Sequence, residues 1–450
     1  MIIGSTSTRL LWSPLLGWVL LSCASGGVQA QVETPSPAKQ TLDQQTPQVD
    51  LPDMSVSPIS VLNPNSGDQL GITLGAFTLF PALELDTGYN DNVFATSTPT
   101  VGSSFALVRP SLDLRSDWLN HSLRVLAAGG FGFYPSAPTQ NFQNYLIQAD
   151  GRLDIRYDFY LAARVAFRRA TEALGTPNVS FAQAPTVADS IPAEITLHQK
   201  FNRFFYQLTA AATKYWYYDY STITSLGLPA SSRNRTEYEE KLRLGYEIED
   251  GVSLWISPGL NQRIYVSPIN TADQQRDSSG WNVSVGSTIR IGAKTNLEGS
   301  IGRSSLSYLA DGTTTAATTF ALLGTWNGYE PLVLRPSISR SINESALTDY
   351  QNYISTVVGV DFTYDVHGPW KAVGGLSYST ADYTPAYGVA NVNPRTDYFF
   401  RGSVGFLYQL RPEYSIGPVY EYSTGWSTDV AAGGPSYTRN TVTIRLVAKR

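Results

Sequence analysis

Tyr145-Leu146-Ile147-Gln148-Ala149-Asp150-Gly151-Arg152-Leu153-Asp154-Ile155-Arg156-Tyr157 alternates without a break. On an extended chain Tyr145, Ile147, Ala149, Gly151, Leu153, Ile155 and Tyr157 share one side, and Gln148, Asp150, Arg152, Asp154 and Arg156 share the other. Asp158-Phe159-Tyr160 makes a polar turn, after which Leu161, Ala163, Val165 and Phe167 alternate with Arg164 and Arg168. A period of two on either side of a short turn predicts a β-hairpin. Each strand runs for roughly nine or more residues, longer than the usual five or six of a soluble sheet and close to what a tilted strand needs to cross a bilayer. Aromatic residues stand at both ends of the apolar face, where a membrane interface holds them.

The same design runs in both directions from this hairpin. Before it, Leu83, Leu85 and Tyr89 oppose Glu84 and Asp86, and Val108, Pro110, Leu112 and Leu114 oppose Arg109, Asp113 and Arg115. After it come faces such as Leu242, Leu244, Tyr246 and Ile248, then Val358, Val360, Phe362 and Tyr364, and finally Val442, Ile444 and Leu446. The number of such segments is about eighteen, an even number of the kind single-chain outer-membrane barrels have. Short links are expected at 117–121, 158–160, 201–203, 249–251, 292–295, 327–330, 366–369 and 411–413. Long Ser, Thr, Pro and Gly-rich links fall between them, near 92–103, 135–143, 170–190, 218–235, 266–279, 308–317, 342–350, 380–395 and 423–436. A soluble sandwich or propeller has no reason to sort its loops by parity. The fold class expected for residues 69–450 is therefore all-β, a transmembrane up-and-down antiparallel barrel with short periplasmic turns and long extracellular loops. Hydrocarbon cannot satisfy an open sheet edge, so the first and last strands must pair.

Composition agrees with this reading. Only 15% of the 450 residues are charged and 27 are Tyr. After residue 30 no stretch approaches the roughly 20 consecutive apolar residues of a spanning helix. Residues 1–30 read as a signal peptide, with Arg9, the apolar run Leu10 to Leu21, and Val28-Gln29-Ala30 before the expected cleavage. A rival reading is lipidation of Cys23, the single cysteine, after Leu20-Leu21-Ser22. Residues 31–68 are rich in Pro, Gln, Ser and Asp with no apolar period, and are expected to form a disordered periplasmic tether. Removing Arg9 with the leader leaves 31 basic against 37 acidic residues, a formal net charge of −6. No basic cluster points to nucleic acid.

Catalysis has little to stand on. No His-Glu-x-x-His, Gly-x-Ser-x-Gly or cysteine cluster occurs, and no cofactor is implied. Of the three histidines, His121 and His367 fall in expected turns, and His198, on a strand next to a turn, is read as an ordinary wall residue in preference to a general base. The candidates lie instead on the polar face, which is expected to line the pore through Arg109, Asp113, Arg115, Asp150, Arg152, Asp154, Arg156, Arg164, Arg168, Arg243, Arg263, Arg290, Arg401 and Arg445. In one reading these are a solvated wall whose opposite charges pair across strands. In the other, the Arg-rich sector of the second to fifth strands sets a transverse field that orients or selects solutes. Tyr89-Asn90-Asp91-Asn92 offers oxygen ligands for calcium, although such a cluster at a strand end is more often a turn. Trp255, Tyr265 and the run Tyr215 to Tyr220 could stack on sugar rings or form girdle.

Leu74-Gly75-Ala76-Phe77 through Pro81, followed by Tyr89-Asn90-Asp91-Asn92-Val93-Phe94, resembles the start of a β-barrel porin family of proteobacterial outer membranes. The similarity extends over residues 70–450. Members are often associated with polysaccharide-export gene clusters, so the resemblance implies an outer-membrane channel for hydrophilic solutes or secreted polysaccharide. It also implies outer-membrane lipid and a periplasmic export apparatus as partners. The alternative is a non-conducting surface scaffold or adhesion barrel acting through its long loops.

Overall fold

A computed structural model describes residues 71–177, 185–218, 229–267, 276–292, 294–309, 312–347, 349–386, 392–431 and 433–450. The leader and tether read from the sequence lie outside the described residues. The strands in chain order are β1 (Ile72–Leu74), β2 (Phe77–Asn90), β3 (Ser103–Ser116), β4 (Ser122–Phe133), β5 (Phe142–Arg156) and β6 (Phe159–Glu172). Then come β7 (Thr186–Phe201), β8 (Phe204–Tyr218), β9 (Arg235–Glu249), β10 (Val252–Tyr265), β11 (Ser278–Ile291), β12 (Thr295–Tyr308) and β13 (Thr314–Tyr329). The last six are β14 (Leu332–Glu344), β15 (Tyr350–His367), β16 (Trp370–Pro385), β17 (Arg395–Arg411), β18 (Tyr414–Ser427) and β19 (Tyr437–Lys449). The described residues contain no α-helix.

From β2 onward each strand pairs antiparallel with the next. β19 pairs with β2 from Lys449↔Ala82 to Thr441↔Asn90, which closes an 18-strand ring with no free edge. β1 is a short flap on β2 at the ring's lower end. All eight short turns fall at that end and all the longer connections at the other. The turns use the backbone chemistry that tight hairpins need. Asp250-Gly251 joins β9 to β10, where Gly251 has φ +78° and a side chain would sit 2.2 Å from the Arg290 carbonyl oxygen. Asn202 adopts φ +55° between β7 and β8.

Side-chain polarity is inverted relative to a water-soluble protein. The outward row of the β5–β6 hairpin leaves Ile147 56% exposed, while the inward Glu84 and Asp86 are 2% and 4% exposed. Exposed aliphatics around the whole perimeter make sense only against lipid.

Several long connections are shorter than the sequence suggests, among them 173–185, 309–313, 345–349 and 386–394, because their strands run further than expected. The ladder between β13 and β14 stops at Phe320↔Arg340, yet β14 stays paired with β15 as far as Glu344↔Asn352. On its β13 side the tip of this β14–β15 hairpin parts from the wall and turns inward across the mouth, while β15 stays paired with β16 as far as Tyr350↔Pro385. Ile342 and Ile354, which strict alternation would aim at lipid, pack instead on Leu306, Tyr308 and Ala317 of the inner face.

Candidate functional site

All fourteen charged residues picked out from the sequence occupy the inward parity of their strands. Their surroundings differ. At the closure, Arg109 on β3 bonds both Glu84 and Asp86 of β2, and Arg445 on β19 reaches the same two carboxylates at 3.1 and 2.9 Å. These four charges, two of each sign, lock the seam. The upper end of the same seam is held by Asp91, whose carboxylate accepts hydrogen bonds from the Asn440 backbone and side-chain amides, each at 2.7 Å. Asn92 donates from Nδ2 to the carbonyls of Thr96 (2.7 Å) and Thr438 (2.9 Å). The Asn-Asp-Asn cluster is thus a clasp between first and last strands.

Further round, Asp113 lies between Arg115 (2.7 Å) and Arg124 (2.8 Å), Arg152 meets Asp154 (2.7 Å), and Arg164 meets Asp150. Arg243 pairs with Glu298 (2.9 Å) across three strand boundaries, Arg401 with Glu421 (2.6 Å), and Arg263 with Glu344. Arg168 is engaged as well. Arg156, exposed at the short-turn rim, and Arg290 form no ion pair among the described residues. The Arg-rich sector is therefore interleaved with acids, and opposite charges a few ångströms apart cancel most of any transverse field.

The aromatic residues expected to stack on sugars are already covered. Trp255 is 6% exposed beneath the Arg243 guanidinium, 4.0 Å from its ring. Tyr265 is buried, with Arg235 and Arg276 each 5.7 Å from its ring, and Tyr215 lies under Arg235 at 4.7 Å. Tyr220, the end of the aromatic run, lies outside the described residues. His198 stacks on Tyr160 at 4.7 Å, and Arg152 covers the Tyr160 ring at 3.8 Å. His121 works in its turn, donating its backbone N–H to Asp154 (2.9 Å) and accepting the Asp154 N–H at Nδ1 (3.0 Å).

The mouth was not visible in the sequence. Glu344, at the end of β14, is held by Arg263 of β10 and by Arg276 (3.3 Å), which also donates to the carbonyls of Ser345 (2.6 Å) and Gln351 (2.8 Å). Asn352 donates to the hydroxyls of Tyr308 (3.1 Å) and Thr315 (2.8 Å). Behind the hairpin tip Leu347, Tyr350, Tyr353, Ala381 and Tyr383 form a small apolar cluster. The inner face of the tip looks across to the opposite wall, where the charges of Glu172 and Arg233 act on Tyr353. Arg233, in the link before β9, donates twice to Glu172 (2.7 Å each) and lies 4.0 Å from the Tyr217 ring. Burial opposes its charge, but Glu172 and Tyr217 outweigh burial and hold the guanidinium above its ordinary pKa. Another link also enters the opening. The Gly175 carbonyl accepts a hydrogen bond from the Tyr437 hydroxyl of β19 at 3.0 Å. The functional region is thus a charge-paired inner wall narrowed at its long-loop end by inward-folded segments. Arg233 and Arg276 escaped the sequence reading because both fall in irregular links where alternation gives no facing.

No curated protein matches the chain. Among solved structures it is similar to OpdO of Pseudomonas aeruginosa, with 11% identity, 83% of this chain and 97% of that chain covered, and a TM-score of 0.42. It is similar to OccAB4 of Acinetobacter baumannii at 10% identity, 86% and 100% coverage and a TM-score of 0.42. It is also similar to the siderophore receptor PirA of Pseudomonas aeruginosa at 8% identity, 83% and 80% coverage and a TM-score of 0.40. The family model described as Putative beta-barrel porin 2 matches residues 64–450, and the chain belongs to that family.

Proposed function

We propose that the protein is an outer-membrane channel that conducts small hydrophilic solutes along its charged inner wall. The observation that carries this reading is the inverted polarity of a closed ring, with ionised groups inside and bare aliphatics outside, at a strand number that generally leaves an aqueous lumen. Purified protein in planar bilayers should give discrete ion-conducting steps. A barrel that keeps its heat-modifiable gel mobility but passes no current would instead support the scaffold or adhesion role. Fractionation that recovers the mature chain in the soluble periplasm would end the membrane reading altogether.

Secreted polysaccharide is the second cargo, favoured by the family resemblance. A long polymer gains from open aromatic platforms, and Trp255, Tyr265 and Tyr215 are covered by arginines. This supports the small-solute reading. Deletion of the protein with parallel measurement of released polysaccharide and small-solute uptake separates the two. Slowed uptake with normal polysaccharide supports solute conduction, and the converse supports export.

Selectivity gives a finer check. Neutralising Arg152, Arg156, Arg164 and Arg168 together removes four cations from one sector, among them the arginines paired with Asp154 and Asp150. The zero-current potential in a salt gradient should move toward the cation-selective limit. An unchanged potential would reduce these residues to wall structure.

A further inference from the structure

The outward faces of four neighbouring strands change from apolar to polar at one boundary. On β12 the outward positions run Leu297, Gly299, Ile301 and then Arg303; on β14 they run Leu332, Leu334, Pro336, Ile338 and then Arg340. On β13, between them, Phe320 and Leu322 give way to Thr318, and on β15 Val358 and Val360 give way to Thr356. The ladders align these positions, with Arg303 opposite Thr318 and Val283, and Arg340 opposite Phe320 and Thr356. Two guanidiniums therefore stand on the lipid side of the wall at the upper edge of the apolar band. They are two strands and one rung apart, on the order of 10 Å.

Their partners are hydroxyls. Arg303 is exposed and donates to Thr318 Oγ1 at 3.4 Å, and Arg340 donates to Thr356 Oγ1. Neither forms an ion pair among the described residues, whereas nearly every inward arginine does. Asp382, the outward carboxylate of β16, lies opposite Ile354 and pairs with neither. A charge at the edge of hydrocarbon is costly without a counter-ion, and at this depth outside the barrel the available anions are lipid headgroups.

We propose that Arg303, Arg340, Thr318 and Thr356 form a binding site for a phosphorylated lipid headgroup of the outer leaflet. The guanidinium forks suit phosphate oxygens bidentately and the threonine hydroxyls add donors beside them. Arg340 occupies the last rung before β14 parts from β13, so the lipid would brace the split between those two strands. This inference rests on the membrane-barrel reading and on the long loops facing outward.

The test uses the full barrel in nanodiscs of phosphatidylcholine containing lipid A, with retained lipid counted by native mass spectrometry. The wild type should retain lipid A preferentially, and Arg303→Gln with Arg340→Gln should cut retention by about tenfold. Arg335→Gln, a substitution inside the barrel, should leave retention unchanged. Equal retention by wild type and the double variant, or equal loss in the Arg335→Gln variant, would overturn the site. Bilayer conductance on the same preparations keeps the two readings apart. Lost lipid with intact conductance sinks only this site, and retained lipid with no conductance sinks only the channel.

Discussion

Replacing Arg109 with Met should cost the barrel about 3–5 kcal/mol of unfolding free energy, because it leaves a buried carboxylate without compensation. Glu84, Asp86 and Arg109 have side chains only 2–5% exposed, so the solvent screening that makes surface pairs weak does not apply. Four charges of net zero become three of net −1, and Arg445, itself 29% exposed, must serve both acids alone. The position matters because β19 and β2 are the only pair in the ring not joined by a hairpin, so that their pairing depends on contacts made late in the sequence. Urea unfolding in detergent, followed by the shift in gel mobility between folded and unfolded barrel, should register a lower midpoint for Arg109→Met. Adding Glu84→Gln restores balance and should return most of the loss. If the single variant unfolds at the wild-type midpoint, the seam is held by its backbone ladder and the charges are incidental.

Much of this architecture could be read from residue order, for a physical reason. A membrane barrel has a different solvent on each face of every strand, so alternation from Tyr145 to Phe167 is enforced twice, by lipid outside and water inside. Loop parity was equally legible, because tight turns and long links serve different compartments. Alternation carries no information on partners beyond the adjacent strand, however. Nothing in the order of residues joins Arg243 to Glu298, or Arg263 to Glu344. The period also misplaces residues where a strand leaves the cylinder, as Ile342 and Ile354 do. The expected long link near 170–190 also takes in the first residues of β7, which begins at Thr186 in a polar stretch. There Asp189 faces outward against Arg169 at 2.6 Å, an ion pair on the lipid side that a hydropathy pattern reads as loop.

The mouth offers the largest expected change in function. Glu344 joins the β14–β15 tip to Arg263 and Arg276, so Glu344→Ala leaves two guanidiniums facing a hairpin that has lost this anionic anchor. Arg276 still holds the carbonyls of Ser345 and Gln351, and substituting it to Ala as well removes that second hold. On the β13 side the wall ladder no longer restrains the tip beyond Arg340, so that its ladder to the wall runs through β15, which stays paired with β16 as far as Tyr350↔Pro385. Single-channel conductance of the double variant should rise roughly twofold or more, as the tip swings on its β16 attachment and the mouth widens. The two substitutions remove one acid and one base, so the net charge of the mouth is unchanged, but Arg263 loses the carboxylate of Glu344 and that redistribution alters current without any movement. A cross-link separates the two effects. Ile342 and Leu306 pack in one cluster, so Ile342→Cys with Leu306→Cys in the double-variant background can pin the tip back onto the inner face. Oxidised, this barrel should return to near wild-type conductance, and reduction should open it again. Conductance that ignores the redox state would mean that the hairpin does not limit the current, and that the constriction lies with the segment around Gly175 docked on Tyr437.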